Sequence, residues 1–298
     1  MSNDPIPTVR SFYRALTLRV GVFTDSFLGR GRPLAESRLL FEIGSKGADV
    51  RELRSRLNLD SGYLSRLLRS LERHGLSEVT TPESDRRSRR ACLTIAGLGE
   101  LEELDRLGDR FAEETVEPLS EAERARLVDA MSEVEKLLNL SFTRISVEDP
   151  DSPDARWCLG QYVAELGERF DAGFDASRSI PADAGDLRPP RGTFLIARLD
   201  GRLVGCGAVK ATEPGVGSIK RMWVSPEVRG TGVGRRLLLA LEKEAAGLGM
   251  ALLRLETNRS LHEAQALYRR NGYREVAAFN DDPYADHWFE KRIGPSVP

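Results

Sequence analysis

The stretch VSPEVRGTGVGRRLL (224–238) sets Gly230, Gly232 and Gly234 at alternate positions. A strand-like apolar end, broken by Pro226, precedes them and a leucine-rich run follows. Bare backbone at the mouth of a helix turns successive N–H groups toward an anion, and Arg229 and Arg235 add charge. The chemistry on offer is phosphate or pyrophosphate binding. A P-loop fails, because Arg235 and Leu237 stand where Lys and Ser/Thr are required and the spacing is wrong. The dinucleotide fingerprint fails at its third glycine, where Arg235 stands, and the segment does not open a doubly wound sheet. A plain turn needs fewer glycines than three, each of which carries an entropic cost.

A second set of residues has the chemistry of DNA contact. Segments 49–57 and 61–74 have the lengths and turn of a helix-turn-helix. In the second, Leu64, Leu67, Leu68 and Leu71 form an apolar stripe. Its other face offers Ser61, Gly62, Tyr63, Ser65, Arg66, Arg69 and Arg73. Small residues at its N-terminal end permit close approach, and the arginines reach bases or phosphates, as a recognition helix in a major groove requires. The turn PESDRRSRR that follows carries Arg86, Arg87, Arg89 and Arg90, suited to phosphates or a minor groove, with Asp85 placed to brace one of them. A solvated charged turn is the bland alternative, and the run's place directly after a helix-turn-helix weighs against it.

The elements that must position these residues differ between the halves of the 298-residue chain, a length that accommodates two domains. Residues 8–140 read mostly as helices: 8–30, ending near Gly29 or Gly31; PLAESRLLFEIGSKG, with Pro33 at its start and Gly44 and Gly47 at its end; 49–57, capped by Asp49; 61–74; and two more near 95–116 and 121–140. The strands LSEVTT and ACLTI flank the charged turn. From 142 onward strands and helices alternate: FTRISVED, a hairpin GTFLIARLDGRLVGCGAVKAT turning at Asp200-Gly201, SIKRMWVS, the helix after the glycines, ALLRLETN, and the helix SLHEAQALYRRNGY. SVEDPDSPDAR has a linker's composition, yet overlaps the first strand, so the boundary falls near 140. The expected architecture is a mainly α winged helix-turn-helix domain (1–140) followed by an α+β domain (141–298) with a mixed central sheet.

Composition fits a globular protein: 40% hydrophobic, 30% charged, net charge −2, which excludes an overall basic character but not a local basic patch. No apolar stretch approaches the roughly 20 residues that span a bilayer, and no signal peptide opens the chain, which points to the cytoplasm. Cys92, Cys158 and Cys206, and His74, His262 and His287, lack the spacing of disulfides or metal ligands, so no metal is expected.

The run ADVRELRSRLNLDSGYLSRLLRSLERHGL, with DRRSRRACLT and IAGLGE, resembles MarR-type regulators over about 8–140. The resemblance implies a homodimer built from the first and last helices, two recognition helices on a palindromic operator in double-stranded DNA, and an effector site between the lobes. Ser61, Tyr63, Ser65, Arg66, Arg69, Arg86, Arg87 and Arg89 are the DNA-binding candidates. Over about 142–298, VSPEVRGTGVGRRLL, the preceding strand, LETN and ALYRRNGY are similar, in order, to the GNAT N-acetyltransferases. This second resemblance implies acetyl-CoA as cofactor. Its pyrophosphate would lie on the amides of Arg229, Gly230, Thr231, Gly232, Val233, Gly234 and Arg235, its pantetheine along 219–224, with a further contact from Asn258.

Acetyl transfer to an amine needs a stabilised oxyanion and a proton for the departing thiolate. The strand edge Met222–Trp223–Val224 can offer an N–H, and Tyr268 is the candidate acid. Tyr268 also shares a helix face with Leu261 and Ala264, where packing alone would explain it. Many GNAT enzymes carry a Glu where this chain has Gly217-Ser218, which leaves Glu256, Glu165 or a water chain as base, none of them assigned. A small-molecule or peptide amine would enter near QYVAELGERFDAGFD and the loop FNDDPYADHW. Asp175, Asp281, Asp282 and Asp286 would hold a cationic acceptor between Phe170, Phe174 and Tyr284, or are solvated loop acids. The expectation is a regulator that is also an acetyltransferase. Its rivals are a regulator whose GNAT half only senses acetyl-CoA or a ligand, and an enzyme whose winged helix only dimerises.

Overall fold

Local capping signals set where the helices begin and end. The computed structural model describes residues 4–21, 26–81, 89–170, 173–180 and 182–294. It divides into two compact units, residues 1–129 and 130–298.

In the first unit α1 runs Ile6–Val20 and stops at Gly21, whose left-handed φ of 72° turns its N–H back to the carbonyls of Thr17 and Leu18. The helix is therefore shorter than the expected 8–30, and a single 3-10 turn occupies Phe27–Gly29. The apolar pattern beyond Gly21 had hidden that stop. Next come α2 (Leu34–Ile43), β1 (Ala48–Asp49), α3 (Val50–Arg56) and α4 (Ser61–Arg73). Asp49 caps α3 by accepting from the N–H groups of Arg51 and Glu52, and Asp60 caps α4 through Tyr63 N–H. Strands β2 (Ser77–Thr80) and β3 (Arg90–Leu93) form the expected antiparallel pair. β1 adds a third strand that sequence analysis missed, because two residues carry no period. α5 (Ile95–Val116) starts at Thr94, and α6 (Glu121–Phe142) carries the chain across the division of the units. The core of this unit gathers Leu39, Leu40, Leu53, Leu64, Leu68, Leu71 and Leu104, all almost fully buried.

In the second unit β4 (Thr143–Val147) is followed by α7 (Pro153–Arg169). Ser152 caps α7 and Pro153 takes its first turn, so the linker-like composition of 146–156 is a strand end and a helix start. Then come β5 (Gly192–Leu199), β6 (Arg202–Glu213), β7 (Val216–Val224), α8 (Val233–Gly247), β8 (Leu252–Thr257) and α9 (His262–Arg270). Two further strands, β9 (Arg274–Val276) and β10 (His287–Arg292), were not anticipated. The expected last loop therefore ends at Asp286, and His287 and Trp288 belong to β10. The sheet order is β4-β5-β6-β7-β8-β10-β9, with β7 and β8 parallel and every other neighbouring pair antiparallel.

β5 is buried on both faces. Phe194 and Ile196 pack with Ala155 and Cys158 of α7, while Leu195 meets Leu237, Leu241 and Ala245 of α8. The parallel pair β7–β8 is short: Val216, Gly217 and Ser218 pair with Leu252, Leu253 and Arg254, and pairing stops there. On the other side of β7, Ala208 faces Lys220 and Cys206 faces Trp223, so Arg221 and Met222 stand opposite Gly207 alone. This is a β-bulge, and Arg221 takes a φ of 56° in it. A bulge bends its strand. The unpaired ends of β7 and β8 open a cleft in the middle of the sheet.

Candidate acetyl-transfer cleft and DNA-contact helix

The glycine loop lies at the end of β7. Gly230 and Gly232 have φ of 77° and 97°, values that side chains with a Cβ rarely adopt. Among the described residues no acceptor faces the N–H groups of Gly230, Gly232, Val233, Gly234 and Arg235, and the first bond of α8 is Arg236 N–H to Gly232 O. This row of free donors at a helix N-terminus is what an anionic pyrophosphate requires. Thr231 is used locally, its hydroxyl donating to Val228 O at 2.7 Å. The Arg229 amide, expected to hold pyrophosphate, donates to Pro226 O at 3.3 Å, and the side chain expected to add charge to the loop is engaged elsewhere. Its guanidinium folds back onto Val224 O (2.9 Å) and the Glu165 carboxylate (2.5 Å). Arg235 Nε donates to Asn271 Oδ1 at 3.2 Å.

Glu165, one of the candidate bases, is an anchor. Its carboxylate also accepts from Trp223 Nε1 at 3.0 Å and pairs with Arg169 at 3.2 Å. Three side chains thus donate to this one carboxylate.

The cleft between the splayed strands is lined by Tyr162, Phe170, Phe174, Lys220, Arg221, Met222, Glu256, Asn258, Tyr268, Asp282 and Tyr284, among others. Glu256 and Lys220 form an ion pair in its floor, with side chains only 8% and 10% exposed. Lys220 engages Oε1, and the buried Oε2 has no partner among the described residues. The Tyr268 ring is packed 5.9 Å from both Tyr273 and Phe289, while the residue also borders the cleft. Packing and exposure to the cleft, set as rivals in the sequence, coexist. Burial pushes the Tyr268 hydroxyl well above the ordinary tyrosine range. Burial also raises Tyr162, to about 12, against the opposing pull of Arg221.

Phe170, Phe174 and Tyr284 form an aromatic wall with centroids 4.9–5.8 Å apart. Of the four acids, Asp282 lines the cleft beside this wall, and Asp175 meets it through its backbone N–H, which donates to Tyr284 Oη at 3.0 Å. Asp282 is buried and accepts from Ser179 Oγ, Ile180 N–H and Tyr284 N–H at 3.0–3.1 Å. Asp175 accepts from Ser177, which holds its carboxyl below the usual range. Asp286 accepts from Arg259 N–H at 2.9 Å, and Asp281 is exposed and does not line the cleft. Asp175, Asp282 and Asp286 thus brace loops. Asn258 is also committed, donating to Tyr284 O at 2.8 Å and accepting from Ser260 N–H at 2.9 Å. Sequence analysis missed Arg221, Lys220 and Tyr162. The one available signal was a Lys-Arg pair inside an otherwise apolar central strand.

On the first unit, α4 buries Leu64, Leu67, Leu68 and Leu71 and exposes Ser61, Gly62, Arg66, Arg69 and Arg73, with Tyr63 and Ser65 half-buried. The Arg66 guanidinium lies 5.5 Å from the centroid of the Tyr63 ring. Arg89 is exposed, and its carbonyl accepts from Val50 N–H at 2.8 Å. Arg86 and Arg87 lie outside the described residues. No helix among the described residues is long and apolar enough to cross a membrane.

Comparison with known proteins assigns both halves. The model of the acetyltransferase (GNAT) family matches residues 158–273, and that of the MarR family matches 30–88. An IAA acetyltransferase of Azospirillum brasilense is 39% identical over 125 residues, which cover 42% of this chain and 80% of that protein. An N-acetyltransferase of Escherichia coli (strain K12) is 26% identical over 42% of this chain and 78% of its own length. The wild-type MarR of E. coli in its apo form is 23% identical, covering 42% of this chain and 94% of that one, with a TM-score of 0.37. The chain belongs to the GNAT acetyltransferase family and carries a MarR-family domain ahead of its acetyltransferase domain.

Proposed function

We propose that the protein is a DNA-binding regulator that also transfers an acetyl group from acetyl-CoA to an amine. The observation that carries the enzymatic reading is one alignment of free groups. The free amides of Gly230, Gly232, Val233, Gly234 and Arg235 follow a strand whose splayed side borders a cleft, and Glu256, with its unpartnered Oε2, lines that cleft. Free amides and left-handed glycines fit a pyrophosphate, and the unpaired edge of β7 fits an extended pantetheine arm. Acetyl-CoA supplies an activated acyl carbon and a thiolate leaving group.

The remaining work falls to side chains and backbone. Glu256 Oε2 accepts the proton that the acceptor nitrogen loses as it attacks in a ternary complex. Backbone N–H in Met222–Val224 steadies the developing oxyanion. Tyr268 Oη donates a proton to the departing sulfur, and its raised pKa keeps that proton in place at neutral pH. The nitrogen gains the acyl carbon, the sulfur leaves with its electron pair, and the two protons balance. The glycine loop is held by the Arg229–Glu165 pair.

We assign DNA contact to α4, through Arg66 and Arg69, with the wing arginines Arg86, Arg87 and Arg89 on the backbone. The exposed apolar side of α1 (Ile6, Val9, Phe12, Tyr13 and Leu16) supports a homodimer, since such a face is covered in a stable protein. Both activities belong in the cytoplasm.

A second reading, a regulator that only senses acetyl-CoA, is favoured by the buried Ser218 where many relatives carry Glu. A thiol-release assay with acetyl-CoA over a panel of amines decides between them: release that depends on the amine supports the enzyme, and binding without release supports the sensor.

A further inference from the structure

One cation of the cleft, Arg221, has no ion pair among the described residues. Lys220 is paired with Glu256, while the Asp282 carboxylate keeps its charge and is held in place by three uncharged donors. The Arg221 guanidinium lies 5.7 Å from the centroid of the Tyr162 ring. The backbone is strained to present it. A φ of 56° is rare for a residue with a Cβ, and such outliers persist where the surrounding structure enforces them, often at ligand sites. The guanidinium also hydrogen-bonds the Tyr162 side chain, and an arginine without an ion pair on a cleft wall keeps further N–H groups that can take a carboxylate. Glu256 supplies the opposite pole, since a second buried atom, Oε2, lacks a partner and accepts N–H. An arginine without an ion pair and a carboxylate oxygen without a partner in one cleft match a zwitterion.

We infer that the acceptor is an amino carboxylate, its carboxylate on Arg221 and its amine at Glu256 Oε2. The wall of Phe170, Phe174 and Tyr284 suits an apolar side chain on it. This inverts the expected cationic acceptor. The inference rests on the acetyltransferase reading for the role of the amine, but carboxylate binding can be measured apart from turnover.

The test uses the full-length protein saturated with CoA and a matched set: L-phenylalanine, its C-terminal amide, and phenethylamine. Titration calorimetry should show the acid binding about 10–100-fold tighter than either analogue. Arg221→Asn, a residue that tolerates the left-handed backbone, should bring the acid down to the level of the amide. Arg221→Lys should restore part of the preference, as a point charge without the fork. Equal binding of acid and amide overturns the inference, as does binding of neither, or an Asn variant that keeps the preference. Thermal unfolding close to the parent's establishes that both variants are folded. A preference for the acid without acetyl transfer would remove the enzymatic reading and leave the carboxylate site standing.

Discussion

Arg229 at the entrance to the glycine loop and Glu165 in the last turns of α7 are joined by an ion pair at 2.5 Å. The same carboxylate receives the Trp223 indole at 3.0 Å. One side chain thus ties the end of β7, the start of the loop and a helix on the sheet's face. Glu165→Gln keeps the shape, so Trp223 retains an acceptor, but Arg229 loses its anion. Acetyl-CoA affinity should fall about 5–30-fold, since a charge-assisted bond contributes about 1–2 kcal/mol. Calorimetric titration with CoA checks this. An unchanged Kd means the loop holds its shape without the anchor.

Gly232 tests the loop more directly. Its φ of 97° is strained for any larger residue, and its amide is among the free donors. Gly232→Val should weaken acetyl-CoA binding by at least tenfold, while operator binding by the N-terminal domain stays close to the parent's. Retained CoA affinity in a folded variant would reduce the loop to a turn.

The acid gives a prediction with a sign in pH. Tyr268 acts in its protonated form, and burial raises its pKa above the ordinary value of about 10. Turnover should therefore show no alkaline loss attributable to this group up to about pH 10. Tyr268→Phe keeps the ring against Tyr273 and Phe289 and should lower kcat roughly 10²–10⁴-fold with little change in CoA affinity. Full turnover in the folded variant excludes the role; an alkaline limb below pH 9 that vanishes in the variant would keep the role and overturn the raised pKa.

Much of the fold was legible because its signals are local. The leucine stripe of α4, the Asp49 cap and the Asp200-Gly201 hairpin each act within a few residues. What escaped depends on tertiary partners. β1 exists only by pairing with β3, β10 only by pairing with β8 and β9, and neither carries a strong period of its own. In the site, the glycine loop was visible because its chemistry is backbone geometry. The allotment of charges was not. Asp282 reads as a free acid until Ser179 and Ile180 fold onto it, and Arg229 reads as a phosphate ligand until Glu165, 64 residues earlier, takes it.

A stability prediction follows from Glu100 in α5. It is 8% exposed, accepts from Arg30 at 2.6 and 3.0 Å and lies 3.3 Å from Arg32. The hydrogen-bonded Arg30 guanidinium holds its carboxyl below the usual range. A depressed native pKa stabilises the fold above the unfolded value, about 4.3, and that contribution is lost as pH falls through the native value. Glu100→Gln should cost the N-terminal domain about 1–3 kcal/mol at pH 7 and little once acid has protonated the parent. Urea unfolding at pH 7 and at about pH 3 measures both. An equal deficit at the two values would show that packing, not charge, is at stake.

The last prediction concerns DNA. With a net charge of −2, the protein can bind a polyanion only through a local cationic surface. The exposed face of α4 supplies Arg66 and Arg69, Arg89 is exposed as well, and Arg86 joins them as an expectation from the sequence. Side chains of α4 that reach base edges carry sequence preference, while wing contacts to phosphate release counterions whatever the sequence. Arg86→Ala with Arg89→Ala should flatten the salt dependence of log K by up to about two units and weaken all duplexes alike. Arg66→Ala should relax preference at one or two positions of each half-site. Arg87 is left intact because Asp85, two residues before it in sequence, is its expected brace; both lie outside the described residues. The measurement is binding to a selected palindrome and to random duplex across a salt series. Should the double variant keep the parental slope, the wing does not touch DNA, and α4 must bind without it.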